Sequence, residues 1–97
     1  KPPPPHRHHD LGVVLRQRRD YEGSEHHLRQ ALTARSAIAG PPHPDAAISM
    51  RELALVLRAV GRSSEGDSLL RRSQEILVER LGADDPETRR TSALLTR

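Results

Sequence analysis

The sequence predicts an all-α protein made of repeated helical hairpins, and three observations support this fold class. Apolar residues recur at helical spacing, a 42-residue period aligns the chain with itself without a gap, and glycine and proline mark the ends of each unit. The chain holds about two and a half units, each a pair of helices. We predict helices at 6–18, 23–38, 44–60, 65–81 and 86–97.

Composition limits the chain to one domain with an aliphatic core. Of the 97 residues, 34% are hydrophobic and one, Tyr21, is aromatic. The absence of cysteine excludes disulfides and thiolate chemistry. No apolar stretch approaches the about 20 residues that span a bilayer, and no leader opens the sequence, so we expect a cytoplasmic protein with no membrane partner. The formal net charge of +3 is a weak basic bias.

The period of 42 follows from identical residues at that separation. Conservative pairs such as Asp10/Glu52 and Glu25/Asp67 fill the intervals, and no insertion is needed. The register divides the chain into a first repeat at 9–43, a second at 44–85 and the first helix of a third, truncated repeat at 86–97. The identical pairs include Leu11/Leu53, Val14/Val56, Leu15/Leu57, Leu28/Leu70, Gly40/Gly82 and Pro44/Pro86.

The first repeat is preceded by a segment rich in proline and histidine, residues 1–8. Prolines inside a helix lack an N–H donor and clash with the preceding turn, so we expect this segment to be extended and the first helix to start near His6. At the turn between the two helices of this repeat, Arg19 stands where the second repeat has Gly61.

The second repeat shows the hairpin pattern most clearly. Its first helix carries an apolar stripe at i, i+3, i+4 and i+7, its turn contains Gly61, and its second helix is followed by Gly82, which suits a helix end. Asp85 and Pro86 then form a capping signal for the third unit. The stripe consists of Leu53, Val56, Leu57 and Val60.

Three segments of this pattern resemble a known family. They are 53–62 (LALVLRAVGR), 69–73 (LLRRS) and 81–88 (LGADDPET), and together they resemble the 42-residue tetratricopeptide repeat of the kinesin light chain type over about residues 9–97. The resemblance implies a right-handed α-α superhelix whose concave face binds a peptide or partner protein. The expected role is that of a scaffold or adaptor, not an enzyme. Arg51 and Glu52 stand where the family has an asparagine pair, so the resemblance implies no particular peptide.

The family's groove positions give the candidate partner-binding residues. Because arginine can donate two parallel N–H bonds to a carboxylate, the arginines among them favour an acidic peptide segment as the partner. The groove positions in this sequence are His9, Val13, Arg16, Gln17, Arg51, Leu55, Arg58 and Ala59.

Other kinds of partner have less support in the sequence. Arginine clusters such as Arg18-Arg19 and Arg71-Arg72 could bind nucleic acid non-specifically, but acidic residues are interleaved with them and only Tyr21 could stack on a base. Six histidines invite a metal interpretation, yet their spacing lacks a metal-binding motif, so we expect neither metal nor cofactor. Leu94 and Leu95 lie in the third unit, and we expect self-association through this C-terminal repeat edge.

Overall fold

A computed structural model describes residues 5–38 and 40–96, and helices account for most of them. The sequence-based prediction of an all-α fold built from hairpins is confirmed. The described helices are α1 (Pro5–Gln17), α2 (Tyr21–Ser36), α3 (Pro44–Ala59), α4 (Ser63–Leu81) and α5 (Pro86–Leu95). None of them is both long and apolar enough to cross a membrane.

Side-chain caps fix where three of the helices begin. The backbone N–H of Gly23 donates to the carboxylate of Asp20 at the start of α2 (3.1 Å), and the N–H of Glu87 donates to Asp85 at the start of α5 (2.9 Å). At the start of α3 the ring of His43 takes the same role, accepting from the N–H of Asp45 (3.0 Å). The cap predicted at Asp85 is confirmed.

The N-terminal segment differs from the prediction. Helix α1 begins at Pro5, so residues 5–8 of the segment expected to be extended lie within a helix, while residues 1–4 lie outside the described part of the chain. The physical reason is that the first turn of a helix has N–H groups with no partner inside the helix, so a proline there loses no hydrogen bond. Every helix end, including the start of α1, lies within two residues of the predicted helices.

Helix α3 is the centre of the molecule. It packs against α2 on one side and against α4 on the other, and with α4 it forms the second hairpin. Helices α1 and α2 form the first hairpin, and α5 packs on α4. One core cluster joins α2 to α3, and a second joins α3 to α4. The first cluster contains Leu28, Leu53, Val56 and Leu57, and the second contains Ala47, Met50, Ile76 and Leu77.

Within each hairpin the two helices touch at a pair of small residues. A Cβ added to Gly12 would lie 3.3 Å from the carbonyl oxygen of Ser24, and one added to Gly66 would lie 2.8 Å from the carbonyl oxygen of Ala54. These positions are equivalent in the 42-residue register, but the glycine is on the first helix in one hairpin and on the second helix in the other. The hydroxyl of Ser24 also donates to the carbonyl oxygen of Gly12 at 2.6 Å, so the first contact is a hydrogen bond as well.

A ring of four exposed charges links α2 to the start of α4. Arg29 and Arg62 each contact both Glu25 and Glu65, at 2.7–3.0 Å. Hydrogen bonds from Arg29 and Arg62 lower the pKa of the Glu65 carboxyl below its usual value. Because the ring faces solvent, it contributes less to stability than the buried contacts do.

The turns inside the two hairpins have the same backbone conformation although their residues differ. Arg19 has a φ of 65° and Gly61 a φ of 85°, both in the left-handed region. In each turn the N–H of the following residue donates to a carbonyl oxygen near the end of the helix. Asp20 donates to Leu15 and Arg62 donates to Leu57, both at 2.8 Å. Arg19 therefore carries a steric cost that Gly61 avoids.

We predict that Arg19→Gly stabilises the protein. Relief of the left-handed strain stabilises the folded state by roughly 1–2 kcal/mol. This exceeds the roughly 0.5–1 kcal/mol that glycine costs because it loses more conformational entropy on folding. Thermal unfolding followed by circular dichroism should show a melting temperature higher by about 2–4 °C. The reverse substitution at the equivalent turn, Gly61→Arg, should lower it. An unchanged or lower melting temperature for Arg19→Gly would contradict this account of the turn.

Candidate partner-binding groove

A groove of about 800 Å³ runs across the first helices of the three successive units, α1, α3 and α5. Five of the eight candidate residues line it, whereas Leu55, Arg58 and Ala59 are not among its lining residues. The lining residues are His9, Asp10, Val13, Val14, Arg16, Gln17, Arg51, Glu52, Arg90, Ala93 and Leu94.

The centre of the groove is a carboxylate shared by two arginines. Glu52 of α3 is 7% exposed; Arg16 of α1 donates to one of its oxygens at 3.1 Å, and Arg51 donates to the other at 3.3 Å. A carboxylate removed from water needs charged or hydrogen-bonding partners to offset its lost hydration. Arg16 and Arg51 supply them, and the first of these bonds also ties α1 to α3.

The same chain of charges continues to the third unit. Arg51 donates to Glu87 at the start of α5 at 2.8 Å, and Arg90 donates to the other oxygen of Glu87 at 2.9 Å. Cations and anions thus alternate from α1 to α5. We call this set the charge ladder; it consists of Arg16, Glu52, Arg51, Glu87 and Arg90.

Arg58 makes a parallel connection outside the groove. Its guanidinium donates to Asp67 of α4 at 2.8 Å and to the backbone carbonyl of Leu94 in α5 at 3.0 Å. It therefore stabilises the packing of α3 against both following helices.

The three predicted arginines consequently differ in what they offer a partner. Arg51 is 7% exposed and bound to two carboxylates, and Arg58 is bound to Asp67, so their charges are already balanced within the chain. Arg16 is partly exposed and holds one carboxylate, while its buried Nε has no hydrogen-bond partner among the described residues. Arg90, whose side chain is 69% exposed, is the most accessible cation of the ladder.

Sequence reasoning missed Glu52 and Arg90 as groove residues. A signal for Glu52 was present, because three contacts between first helices join residues 36 apart: Arg16 to Glu52, Arg51 to Glu87, and Arg58 to the Leu94 carbonyl. Opposite charges at that separation could have indicated the first two contacts. Arg90 has no arginine counterpart in the earlier units, where the equivalent positions are Ile48 and His6.

His9 lies at the α1 wall of the groove and is held by a buried serine. Arg35 donates to the Ser49 hydroxyl oxygen at 2.8 Å, and Nδ1 of His9 is hydrogen-bonded to the same oxygen at 3.0 Å. Burial lowers the pKa of His9 below its ordinary value, and the charge of Arg35 lowers it further. Both effects favour the neutral form of the His9 ring.

A second histidine contact joins α1 to α2. Nδ1 of His8 and Nδ1 of His27 are 3.0 Å apart and the ring centres are 5.3 Å apart, the separation expected when two rings meet head-on at these nitrogens. One Nδ1 atom must carry a proton and donate it to the other, so the two Nδ1 atoms cannot both be protonated while the contact is kept. Desolvation, followed by the charges of His26 and His8, lowers the pKa of His27. Within the described residues, no three histidines or acidic residues are grouped to hold a metal ion.

The chain was compared with known protein families. A family model described as "Tetratricopeptide repeat" matches residues 7–77, which is more than half of the chain and includes most of α1, all of α2 and α3, and most of α4. No curated protein matches the chain.

We predict that the protein loses stability as the pH falls below 7. The pKa values of His9 and His27 are lower in the folded chain than the ordinary value of 6.5, so the unfolded chain binds more protons once the pH falls through that value. Their contribution is complete above pH 6.5 and decreases below it. Urea unfolding at a series of pH values between about 7.5 and 5.5 should show the decline.

The variants His9→Gln and His27→Gln should each make the stability less dependent on pH over this range. His6→Gln is the matched control, since His6 is exposed and forms no hydrogen bond with a described residue. A pH dependence that is the same in all three variants as in the original chain would show that other groups cause it.

Proposed function

The chain belongs to the tetratricopeptide repeat family, a family of protein-interaction modules, and from this premise we propose that the α1–α3–α5 groove binds a peptide or a surface of a partner protein. Repeats of this family typically act as non-catalytic scaffolds. The role proposed for this chain is accordingly that of a scaffold or adaptor, with binding rather than chemistry as its activity.

The observation that carries the proposal is the composition and position of the groove. It crosses three successive units, so its length can accommodate several residues of an extended partner. Val13 and Leu94 provide apolar contact, while Gln17 and His9 provide polar side chains. Apolar contact combined with polar and charged groups at fixed positions is typical of binding sites that fix a partner's orientation.

The finer proposal is that the partner segment is acidic and is held at the two ends of the charge ladder. Arg90 is the exposed cation at one end and Arg16 the partly exposed cation at the other. The inner residues Arg51 and Glu52 are too buried to exchange partners without cost, so they act as the rigid floor. A carboxylate of the partner would therefore approach Arg90 or Arg16 rather than Arg51.

Non-specific nucleic-acid binding is the alternative that the arginine content suggests. Two observations favour a protein partner instead. The cations of the groove are interleaved with Asp10, Glu52 and Glu87, so they form no continuous cationic surface for a row of phosphates, whereas a single carboxylate needs only one accessible arginine. In addition, no aromatic side chain other than histidine lines the groove to stack on a base.

We predict that Gln17→Ala/Arg90→Ala weakens peptide binding. Both side chains are exposed and line the groove, so their removal should reduce affinity by about tenfold or more while the helices stay intact. Peptides selected on the original chain from a random display library at physiological salt would supply the ligand. Fluorescence anisotropy would then measure its affinity for each variant.

The matched control is Gln30→Ala/Arg89→Ala, which makes the same two changes at exposed positions outside the groove. If the control loses as much affinity as the groove variant, the peptide is bound elsewhere. An absence of acidic residues among the selected peptides would refute the acidic form of the proposal alone, and competition by random single-stranded DNA would favour the nucleic-acid alternative.

We also propose that the chain self-associates through its apolar end surfaces. Leu94 and Leu95 are half-buried on α5, and Leu11 and Val14 of α1 are 42% and 41% exposed, whereas their equivalents Leu53 and Val56 are fully buried against a neighbouring unit. Sedimentation velocity over a range of concentrations should show a dimer or larger species. Leu11→Gln/Val14→Gln should reduce the association, and a strictly monomeric original chain would disprove it.

A further inference from the structure

A second, partly enclosed pocket of about 340 Å³ lies where the α2–α3 connection meets α3 and α4. It shares no lining residue with the groove and is distinct from the proposed partner-binding surface. Its lining residues are Arg35, Ser36, Ile38, Gly40, Pro41, Pro42, His43, Ala46, Met50, Arg72 and Arg80.

One wall of this pocket is aliphatic. Ile38 is 66% exposed, more than any other large hydrophobic side chain in the described residues, and it stands beside Pro41 and Pro42. Ala46 and Met50 of α3 are buried beneath them. An isoleucine that gains little from burial in the chain itself is available to contact a partner.

The other wall is cationic and, unlike the groove, has no ion pairs with carboxylates of the described residues. Arg72 and Arg80 project from α4 two turns apart, and neither forms an ion pair with a carboxylate of the described residues. Arg35 is held in place by donating to the Asp45 carbonyl and the Ser49 hydroxyl, and it too forms no ion pair with a described carboxylate. No acidic residue lines the pocket.

The N-terminal end of α3, which lies beside the pocket, cannot itself bind an anion. The first N–H groups of α3 are occupied, since that of Asp45 donates to the ring of His43, and those of Ala46 and Ala47 donate to the His43 carbonyl. An anion in this pocket would have to be bound by the arginine side chains.

The repeat pattern does not require these residues. The positions 42 residues before Arg72 and Arg80 are Gln30 and Ile38, so the arginine pair is a property of the second repeat alone. Ile38 and Arg80 occupy equivalent positions, yet they meet at the same pocket, where they provide its apolar and its cationic contact.

We propose that this pocket is a second binding site, which takes an acidic peptide segment of a partner protein carrying one aliphatic side chain. The guanidinium groups of Arg72 and Arg80 bind carboxylates of the segment, and the aliphatic side chain packs against Ile38 and the prolines. Arginine favours carboxylates through paired N–H bonds, and a cationic surface with no acidic residue in its lining attracts them from a distance. Nucleic acid fits the pocket less well because the pocket has no aromatic ring other than the His43 imidazole on which a base could stack.

The test uses a fluorescein-labelled, terminally blocked peptide with one leucine flanked by glutamate and aspartate residues. Anisotropy at physiological salt should show saturable binding to the original chain. The double variant Arg72→Gln/Arg80→Gln should raise the Kd about tenfold or more, and replacing the peptide's leucine with serine should also weaken binding. Circular dichroism confirms that the variant is folded, which is expected because both side chains are exposed and form no ion pair with a described carboxylate.

The matched control is Arg71→Gln/Arg89→Gln, which removes the same charge from exposed arginines outside the pocket. Its Kd should stay within about twofold of the original. Equal losses in the two variants, no binding by the peptide, or equal competition by random single-stranded DNA would overturn the proposal. Loss of this peptide's binding in Gln17→Ala/Arg90→Ala, with Arg72→Gln/Arg80→Gln unaffected, would assign it to the groove instead, so the two sites fail separately.

Discussion

Glu52 imposes the constraint on which the arrangement of the first helices depends. Its carboxylate lies in the most buried helix of the molecule, and a charge in that position is tolerated only if cations of fixed geometry accompany it. Arg16 comes from the unit before and Arg51 from the same helix, and Arg51 in turn reaches Glu87 of the unit after. The stacking of the three units therefore depends on the free-energy cost of removing the Glu52 carboxylate from water.

Much of the fold could be predicted from the sequence because its signals are local. The apolar spacing around Leu53, the capping residue Asp85 and the equivalent turns at Arg19 and Gly61 act within a few residues of where they stand. The start of α1, expected near His6, was predicted to within one residue, but the extended segment expected at 1–8 was wrong for residues 5–8. A proline disrupts the interior of a helix but not its first turn, and the sequence alone does not say which turn Pro5 occupies.

The charged side chains of the candidate site were less predictable for a physical reason. A sequence shows that Arg16, Arg51 and Arg58 lie on related helix positions, but whether each faces a partner or a carboxylate of its own chain depends on how the units stack. The structure directs these three inward, toward carboxylates of neighbouring helices. Arg72, which the sequence presented only as one of an arginine pair, and Arg80, which no sequence motif singled out, form no ion pair with a carboxylate of the described residues. Charge available for binding is thus set by internal pairing rather than by arginine count.

The small-residue contact within each hairpin has a consequence for anyone who engineers proteins of this kind. Gly12 meets Ser24 in the first hairpin, and Ala54 meets Gly66 in the second, so each contact contains one glycine, but on opposite helices. A consensus repeat whose residues were chosen independently at each position could place alanine at the position of Gly12 and Ala54 and serine at the position of Ser24 and Gly66. That pair contains no glycine, and the two helices could not approach as closely as they do in either natural hairpin. The two positions should be varied jointly in a library, as a single two-residue choice.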